Sequence, residues 1–332
     1  MAVGSTAEAA SSRSPTAGRA PAPAAARDWT AQVVVSPAHA ARLLAEQHPR
    51  LRHAVIEPFD EGWDNTVHLA DGRLALRFPR HAAAAARVRR ELAVLPRIAP
   101  LLPLAVPVPH LVGAPSPTFP WPYWAAPLLP GRELAEAGVV RDRSNVAAAV
   151  GTFLRRLHDP ALAAVVPDLP VDPMGRADLD RRLPATREWL ARLDASAGPA
   201  AGSYDAAAVQ HLLRSADGVR LDSCDTVLVH GDLHVRHVLV GARGGVTGVI
   251  DWGDVCRADP VVDLAIAYAA FSGPSRAALF DAYGRAPDPA RAVVGRVLAV
   301  FLSAALTVYA QAQDRSSLLA EAIAGINRAV GD

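Results

Sequence analysis

The sequence predicts an α+β chain of two lobes, a small lobe built on an antiparallel sheet and a larger, mainly helical lobe after it. Three observations lead there. Short segments of alternating polarity, bounded by turn residues, crowd residues 53–78. From Pro130-Gly131 onward the apolar positions recur at helical spacing. The chain has 332 residues, 51% hydrophobic and 20% charged, which suffices for two cores with a cleft between them.

Each element follows from its local residues. Residues 1–28 are Ala, Ser, Pro, Gly and Thr with scattered Arg, and are expected to form a disordered tail. Residues 29–127 form the expected first lobe and 128–332 the second. Ser36-Pro37 opens a helix through about His48, with Ser as cap and Pro in the first turn. Strands are expected at 53–59, 65–69 and 73–78, the last two joined by the hairpin dipeptide Asp71-Gly72. An Ala-rich helix over 82–98, a Pro-rich connection and short strands at 110–113 and 123–128 complete this lobe. In the second lobe helices are expected at 144–158, 176–193, 204–216, 261–271, 274–283, 288–312 and 315–329. Strands at 226–229, 237–240 and 246–250 interrupt them, with a turn at Arg243-Gly244-Gly245.

Composition excludes several function classes. Lys+Arg is 34 and Asp+Glu 33, so no excess of basic charge exists to neutralise nucleic-acid phosphates. The sequence contains no lysine, which excludes a Walker A loop and Schiff-base chemistry. A phosphate clamp must then come from Arg, backbone amides or a metal. Cys224 and Cys256 lack CxxC spacing and read as separate buried thiols in a reducing, cytoplasmic setting. The longest apolar run, 297–310, is shorter than the ~20 residues a bilayer needs, so a buried helix is expected and no membrane partner.

Chemistry concentrates in one region. His230-Gly231-Asp232-Leu233-His234-Val235-Arg236-His237 follows a short apolar strand. Ile250-Asp251-Trp252-Gly253-Asp254 and Asp259-Pro260-Val261-Val262-Asp263-Leu264 come after it. Buried strands alone do not need so many His and Asp residues. Phosphoryl transfer needs one carboxylate to orient or deprotonate the attacking hydroxyl, and hard ligands to hold Mg²⁺ against nucleotide phosphates. Asp232 fits the first role and Asp251 the second.

HGDLHxxH followed by IDWGD and DPxxDL resembles the aminoglycoside phosphotransferase family, relatives of protein kinases that phosphorylate small-molecule hydroxyls. The resemblance covers nearly all of 50–330. It implies a two-lobed protein-kinase-like fold, ATP or GTP as donor, Mg²⁺ as cofactor and a small-molecule alcohol as acceptor. The matching positions imply Asp232 as catalytic base, His237 and Asp251 as metal ligands and Asp263 as the brace of the catalytic loop. His230 and His234 then shape that loop. The family usually has Asn where this chain has His237, while macrolide phosphotransferases of the same superfamily carry His.

The first lobe carries further matches. Gly62, Asp64 and Asn65 resemble the family's nucleotide loop. Arg77 stands where a kinase places its phosphate-binding Lys, with Glu91 on the next helix as the expected ion-pair partner. The stretch 119–131 resembles the hinge, which implies base contacts from the backbone of Ala125 and Leu128, although Pro127 removes one donor there. An aminoglycoside-type antibiotic is the leading acceptor, with a macrolide or a metabolite alcohol as alternatives. Asp168, Asp172, Asp178, Asp180 and Glu188 are either the acidic lining of a polycation site or solvated faces. Two other readings are a metal-dependent hydrolase using His230, Asp232, His234, His237, Asp251 and Asp254, and a kinase-shaped nucleotide-binding module without catalysis.

Overall fold

The computed structural model describes residues 31–137, 143–166, 168–196, 202–222 and 226–331, so the expected tail over 1–28 and Cys224 lie outside the described residues. In the first lobe β1 (Ile56–Glu61), β2 (Asn65–Ala70), β3 (Leu74–Pro79), β4 (Leu111–Gly113) and β5 (Tyr123–Pro127) form an antiparallel sheet in the order β1-β2-β3-β5-β4. Asp71 and Gly72 both have positive φ, 51° and 65°, so the β2–β3 turn is of the mirror-image kind that follows strand twist. The resulting register alternates side chains on β3: Leu76 and Phe78 are fully buried in one core, and Arg77 takes the other face.

Two helices close this sheet. The Ser36 hydroxyl accepts from the His39 amide at 3.2 Å and starts α1 (Pro37–Gln47), whose Leu43 and Leu44 pack with Leu76, Phe78, Phe119 and Tyr123. Helix α2 (Ala82–Ile98) packs Val88 against Trp124 and Ala126. Glu91 of α2 sinks beside them at 1% exposure, and its Oε2 accepts from Trp124 Nε1 at 3.0 Å. Burial pushes its carboxyl up to about 7, although the Arg77 charge pulls the other way.

The second lobe holds α3 (Ser144–Leu157), α4 (Pro160–Ala163), α5 (Leu179–Ala195), α6 (Ala206–Ser215), α7 (Val261–Leu264), α8 (Ile266–Ala270), α9 (Gly273–Tyr283), α10 (Pro289–Ala312) and α11 (Ser316–Val330). Its strands are β6 (Arg132–Glu133), β7 (Val227–Val229), β8 (Val238–Val240), β9 (Val246–Val249) and β10 (Cys256–Ala258). They make two small antiparallel sheets, β6-β8-β9 and β10-β7. The expected helix at 261–271 is broken in two at Ala265, and the one expected from 176 begins at Leu179 because Asp178 caps it. The short β6, β10 and α4 carry no sequence signal, since pairings of two to four residues are set by tertiary contact.

Helix α10 is 24 residues long, and by length and composition alone it could cross a membrane. The 297–310 run is only its centre, so the length argument from the sequence does not apply to the whole helix. It packs against α5, α8 and α11, and more than half of its most apolar stretch is buried within the lobe. Cys256 is buried on β10, where burial pushes its thiol up to about 12.

The state of Glu91 has a measurable consequence. Its carboxyl is raised above its ordinary value, so its stabilising contribution is complete in acid and declines as pH rises through about 7. Denaturant unfolding of wild type and Glu91→Gln should therefore diverge between about pH 5 and pH 8. The variant should gain on the order of 2–3 kcal/mol relative to wild type.

Candidate active site

The site is built on the loop that leaves β7. Asp263, fully buried at the start of α7, accepts from the backbone N–H of His230 at 2.7 Å and of Gly231 at 3.0 Å. Its Oδ2 also lies 3.2 Å from His158 Nε2, and Nδ1 of that ring lies 3.0 Å from the Tyr283 hydroxyl. Burial works to raise the Asp263 carboxyl, yet the His158 bond and the neighbouring charges hold it below its ordinary value. Gly231 has φ +86°, and a Cβ there would lie 2.3 Å from the Asp254 carbonyl oxygen, so only glycine fits. The loop thus delivers Asp232 to the cleft with its side chain partly exposed.

Backbone contacts fix the histidine tautomers. His230 Nε2 donates to the Ile250 carbonyl at 2.9 Å, and its Nδ1 accepts from the Asp232 N–H at 3.2 Å. His234 Nδ1 accepts from the Arg236 N–H at 3.3 Å, which places the proton on Nε2. Burial, then the neighbouring His237, hold both rings below the ordinary histidine value, well below for His234. His237 Nδ1 lies 2.7 Å from the Asp232 carbonyl oxygen and must donate to it. Its Nε2 lone pair then faces Asp251 Oδ2 at 3.5 Å.

That geometry bears on metal binding. In the neutral ring His237 Nε2 is an acceptor facing the acceptor Asp251 Oδ2, an arrangement that fits a divalent ion between them. The ligand atoms of Asp232, His234 and His237 also lie within 4.8 Å of one another. In that trio both imidazole nitrogens nearest Asp232 carry protons, so they offer no lone pair. Among His230, His234 and His237, only His237 Nε2 in its neutral form keeps an uncommitted lone pair, which disfavours a hydrolase built on several His ligands.

Asp251 adopts φ +64°, a left-handed conformation that Asp tolerates better than most residues. Its Oδ1 accepts from Arg77 Nη2 at 2.5 Å across the cleft. Burial would raise this carboxyl, but the Arg77 charge and its hydrogen bond hold it well below the usual carboxylate range. Arg77 also approaches Glu91 Oε1 at 3.4 Å, so the expected partner is present but shared. With its amide oxygen turned to the guanidinium, Asn65 accepts from Arg77 Nε at 3.2 Å and Nη2 at 2.9 Å.

The other expected nucleotide residues are placed as follows. The Gly62 N–H donates to Asn65 O at 3.0 Å, and Gly62 O accepts from Arg80 at 2.9 Å, which shapes the β1–β2 loop. Asp64 turns away from the loop tip to bind Arg87 and His81 of α2 and its cap. The Ala125 carbonyl accepts from His110 N at 2.8 Å, and the Leu128 N–H donates to Arg73 O at 2.8 Å. Both hinge groups are thus engaged within the protein itself.

Sequence reasoning missed the arginines that close the cleft. Arg87 Nε lies 3.1 Å from Asp254 Oδ1, and Arg90 donates to the Gly253 carbonyl at 3.1 Å, which ties α2 to the turn after Asp251. Arg176 Nη2 donates to Asp254 Oδ2 at 2.6 Å and lies 3.4 Å from Asp232 Oδ1. The only sequence signal near it was the turn chemistry of Asp172-Pro173 and Gly175. Of the acids weighed as a polycation lining, two have local structural contacts and two form solvent-exposed pairs. Asp172 accepts from the N–H groups of Arg176 and Ala177, Asp178 caps α5, Asp180 pairs with Arg220, and Glu188 pairs with Arg192.

Comparison with known proteins agrees with this architecture. Residues 55–295 match the family model described as "Phosphotransferase enzyme family". A 59-residue stretch is 39% identical to the uncharacterized protein YcbJ of Bacillus subtilis (strain 168). That stretch is 18% of this chain and only 19% of YcbJ. The GDP and kanamycin complex of APH(2")-IIIa superposes with TM-score 0.64 at 19% identity, covering 88% of this chain and 98% of that one. Macrolide 2'-phosphotransferase MphH from Brachybacterium faecium superposes with TM-score 0.53 at 25% identity, covering 88% and 97%. The sheet lobe and helical lobe are thus those of kinase-like phosphotransferases, and with most of its length matched the chain belongs to the phosphotransferase enzyme family.

Proposed function

We propose that this chain transfers the γ-phosphoryl group of ATP or GTP to a hydroxyl of a small molecule. The cleft lies between a nucleotide-binding lobe, 29–127, and a catalytic and acceptor-binding lobe, 128–332. The observation that carries the reading is the pairing across this cleft. Asp232 stands on a loop fixed by Asp263, beside an Asp251 that already meets Arg77 of the other lobe. Similar folds described as complexes with GDP or ADP support a nucleotide in this position.

In the reaction the acceptor oxygen bonds to the γ-phosphorus, and the bond from that phosphorus to the bridging oxygen breaks. The hydroxyl proton passes to the Asp232 carboxylate, and nucleoside diphosphate leaves. Arg77 presents a planar fork to the phosphates, steadied by Asn65 and Glu91. Gly62 shapes the loop above them, Asp64 acts through Arg87, and Ala125 and Leu128 border the base. Asp251 and His237 would hold Mg²⁺, which neutralises phosphate charge when bound. The acceptor belongs to one of the two antibiotic classes named for similar folds, aminoglycosides or macrolides. Dependence on cellular nucleotide and the buried free thiol of Cys256 support a cytoplasmic setting.

A coupled nucleotide-consumption assay with Mg²⁺, ATP or GTP and a panel of both classes tests this. Turnover should fall about 10²–10⁴-fold in Asp232→Asn while the melting temperature holds. Unchanged turnover would contradict the mechanism. Asp263→Ala should act differently. It strands two buried N–H groups and should lose about 2–4 kcal/mol in denaturant unfolding along with activity.

A further inference from the structure

The tip of the β1–β2 loop reaches across the cleft. The flanks of the loop are fixed within the first lobe. The Gly62 N–H donates to the Asn65 carbonyl at 3.0 Å, Arg80 donates to the Gly62 carbonyl at 2.9 Å, and Asp64 pairs with Arg87 and His81. Trp63, between them, turns outward and is 49% exposed. Its ring meets Tyr309 of α10 edge-to-face, with centroids 5.9 Å apart and planes at 86°. The residue at the loop tip is thus held by the lobe that the loop does not belong to.

Tyr309 is in turn held against the catalytic loop. The Arg236 guanidinium carbon lies 4.8 Å from the centroid of its ring. Arg236 follows His234 in that loop, and its N–H donates to His234 Nδ1 at 3.3 Å. Its Nε lies 3.3 Å from Glu133 Oε1 of β6, and Arg315 Nη2 lies 2.7 Å from the other oxygen of Glu133. Arg236 Nη2 also lies 3.8 Å from Asp60 Oδ2 of β1. Two contacts thus join the β1–β2 region to the catalytic loop, one aromatic and one ionic. They are unequal. The ion pair is long, its acid is half exposed, and such pairs contribute little in water. An edge-to-face ring pair backed by a guanidinium is screened less, so the aromatic contact governs.

Resting on the phosphotransfer reading, we propose that Trp63 and Tyr309 are positioning residues that latch the β1–β2 loop over bound nucleotide, with Arg236 as their anchor on the catalytic loop. Nucleotide beneath the loop leaves when the two rings part. Breaking the latch shortens the stay of the nucleotide without removing any group that holds phosphate or metal or accepts the proton.

The test is stopped-flow release of N-methylanthraniloyl-ADP and N-methylanthraniloyl-GDP from the full chain with Mg²⁺, chased by unlabelled nucleotide. Tyr309→Ala and Trp63→Ala should each release the label about three- to tenfold faster than wild type. The double variant should be no faster than either single one, since the same contact is lost in all three. Tyr309→Phe keeps the ring and should release as wild type does. Asp60→Asn should stay within about twofold of wild type. A merely structural role for Tyr309 would lower the melting temperature and leave the release rate alone. Unchanged release in either alanine variant overturns the latch. So do additive effects in the double variant, or an acceleration by Asp60→Asn equal to that by Tyr309→Ala. Should Tyr309→Ala fail to fold, Tyr309→Leu keeps apolar bulk without the ring and is read in the same way. Wild type that binds neither labelled nucleotide overturns the phosphotransfer reading and the latch together, whereas intact binding with unchanged release overturns the latch alone.

Discussion

The buried carboxylate of Asp263 is the constraint on which the rest of the site depends. A chain leaving a buried strand must satisfy its backbone N–H groups, and here two of them point at one carboxylate. That capture sets the left-handed turn at Gly231 and aims Asp232 into the cleft. His158 and Tyr283 hold the carboxylate from behind, so the brace is shared among β7, α3, α7 and α9. Catalytic geometry in this fold is therefore a product of core packing in the second lobe. The apolar Trp252, wholly buried against Phe153, completes the floor beneath His230.

The absence of lysine gives the cleft its second character. Every cationic contact between the lobes is made by a guanidinium, which forms directed, forked bonds where an ammonium would act as a point charge. Arg77 reaches Asp251, Arg87 reaches Asp254, and Arg90 reaches the Gly253 carbonyl. These contacts hold the sheet lobe against the catalytic segment. Arg77 occupies an oxygen of the carboxylate proposed to bind metal, so a metal there would share Asp251 with the guanidinium. The left-handed φ of Asp251 is held by the bond its Oδ1 accepts from Arg77.

Much of this was legible in the sequence, for reasons that can be named. Helix α2 was read to the residue, because its Ala-rich start and Pro-rich exit are strong local signals. The β2–β3 hairpin was legible from Asp71-Gly72, whose positive φ only a few residues adopt. Asp263 as the loop brace and the Arg77–Glu91 pairing were implied by the family resemblance, and the structure brings both sets together. Arg176 was not legible, because its segment is held by long-range contacts to Arg257, Arg182 and Asp254 that leave no periodicity. The break at Ala265 was equally silent, since Ala-rich sequence favours helix on both sides. At the hinge, the Ala125 carbonyl and the Leu128 N–H are bonded to His110 and Arg73, contacts between strands and loops that no local sequence signal foretells.

On the proposed reading, Asp251 and His237 serve nucleotide-bound metal while Asp232 is kept for the acceptor. The most direct measurement is a crystal structure with Mn²⁺, as an anomalous stand-in for Mg²⁺, and a non-hydrolysable triphosphate analogue. The account predicts the anomalous peak between Asp251 and His237 Nε2, the phosphates at Arg77, and Asp232 free of metal. A peak among Asp232, His234 and His237, with the analogue absent from the cleft, would contradict it.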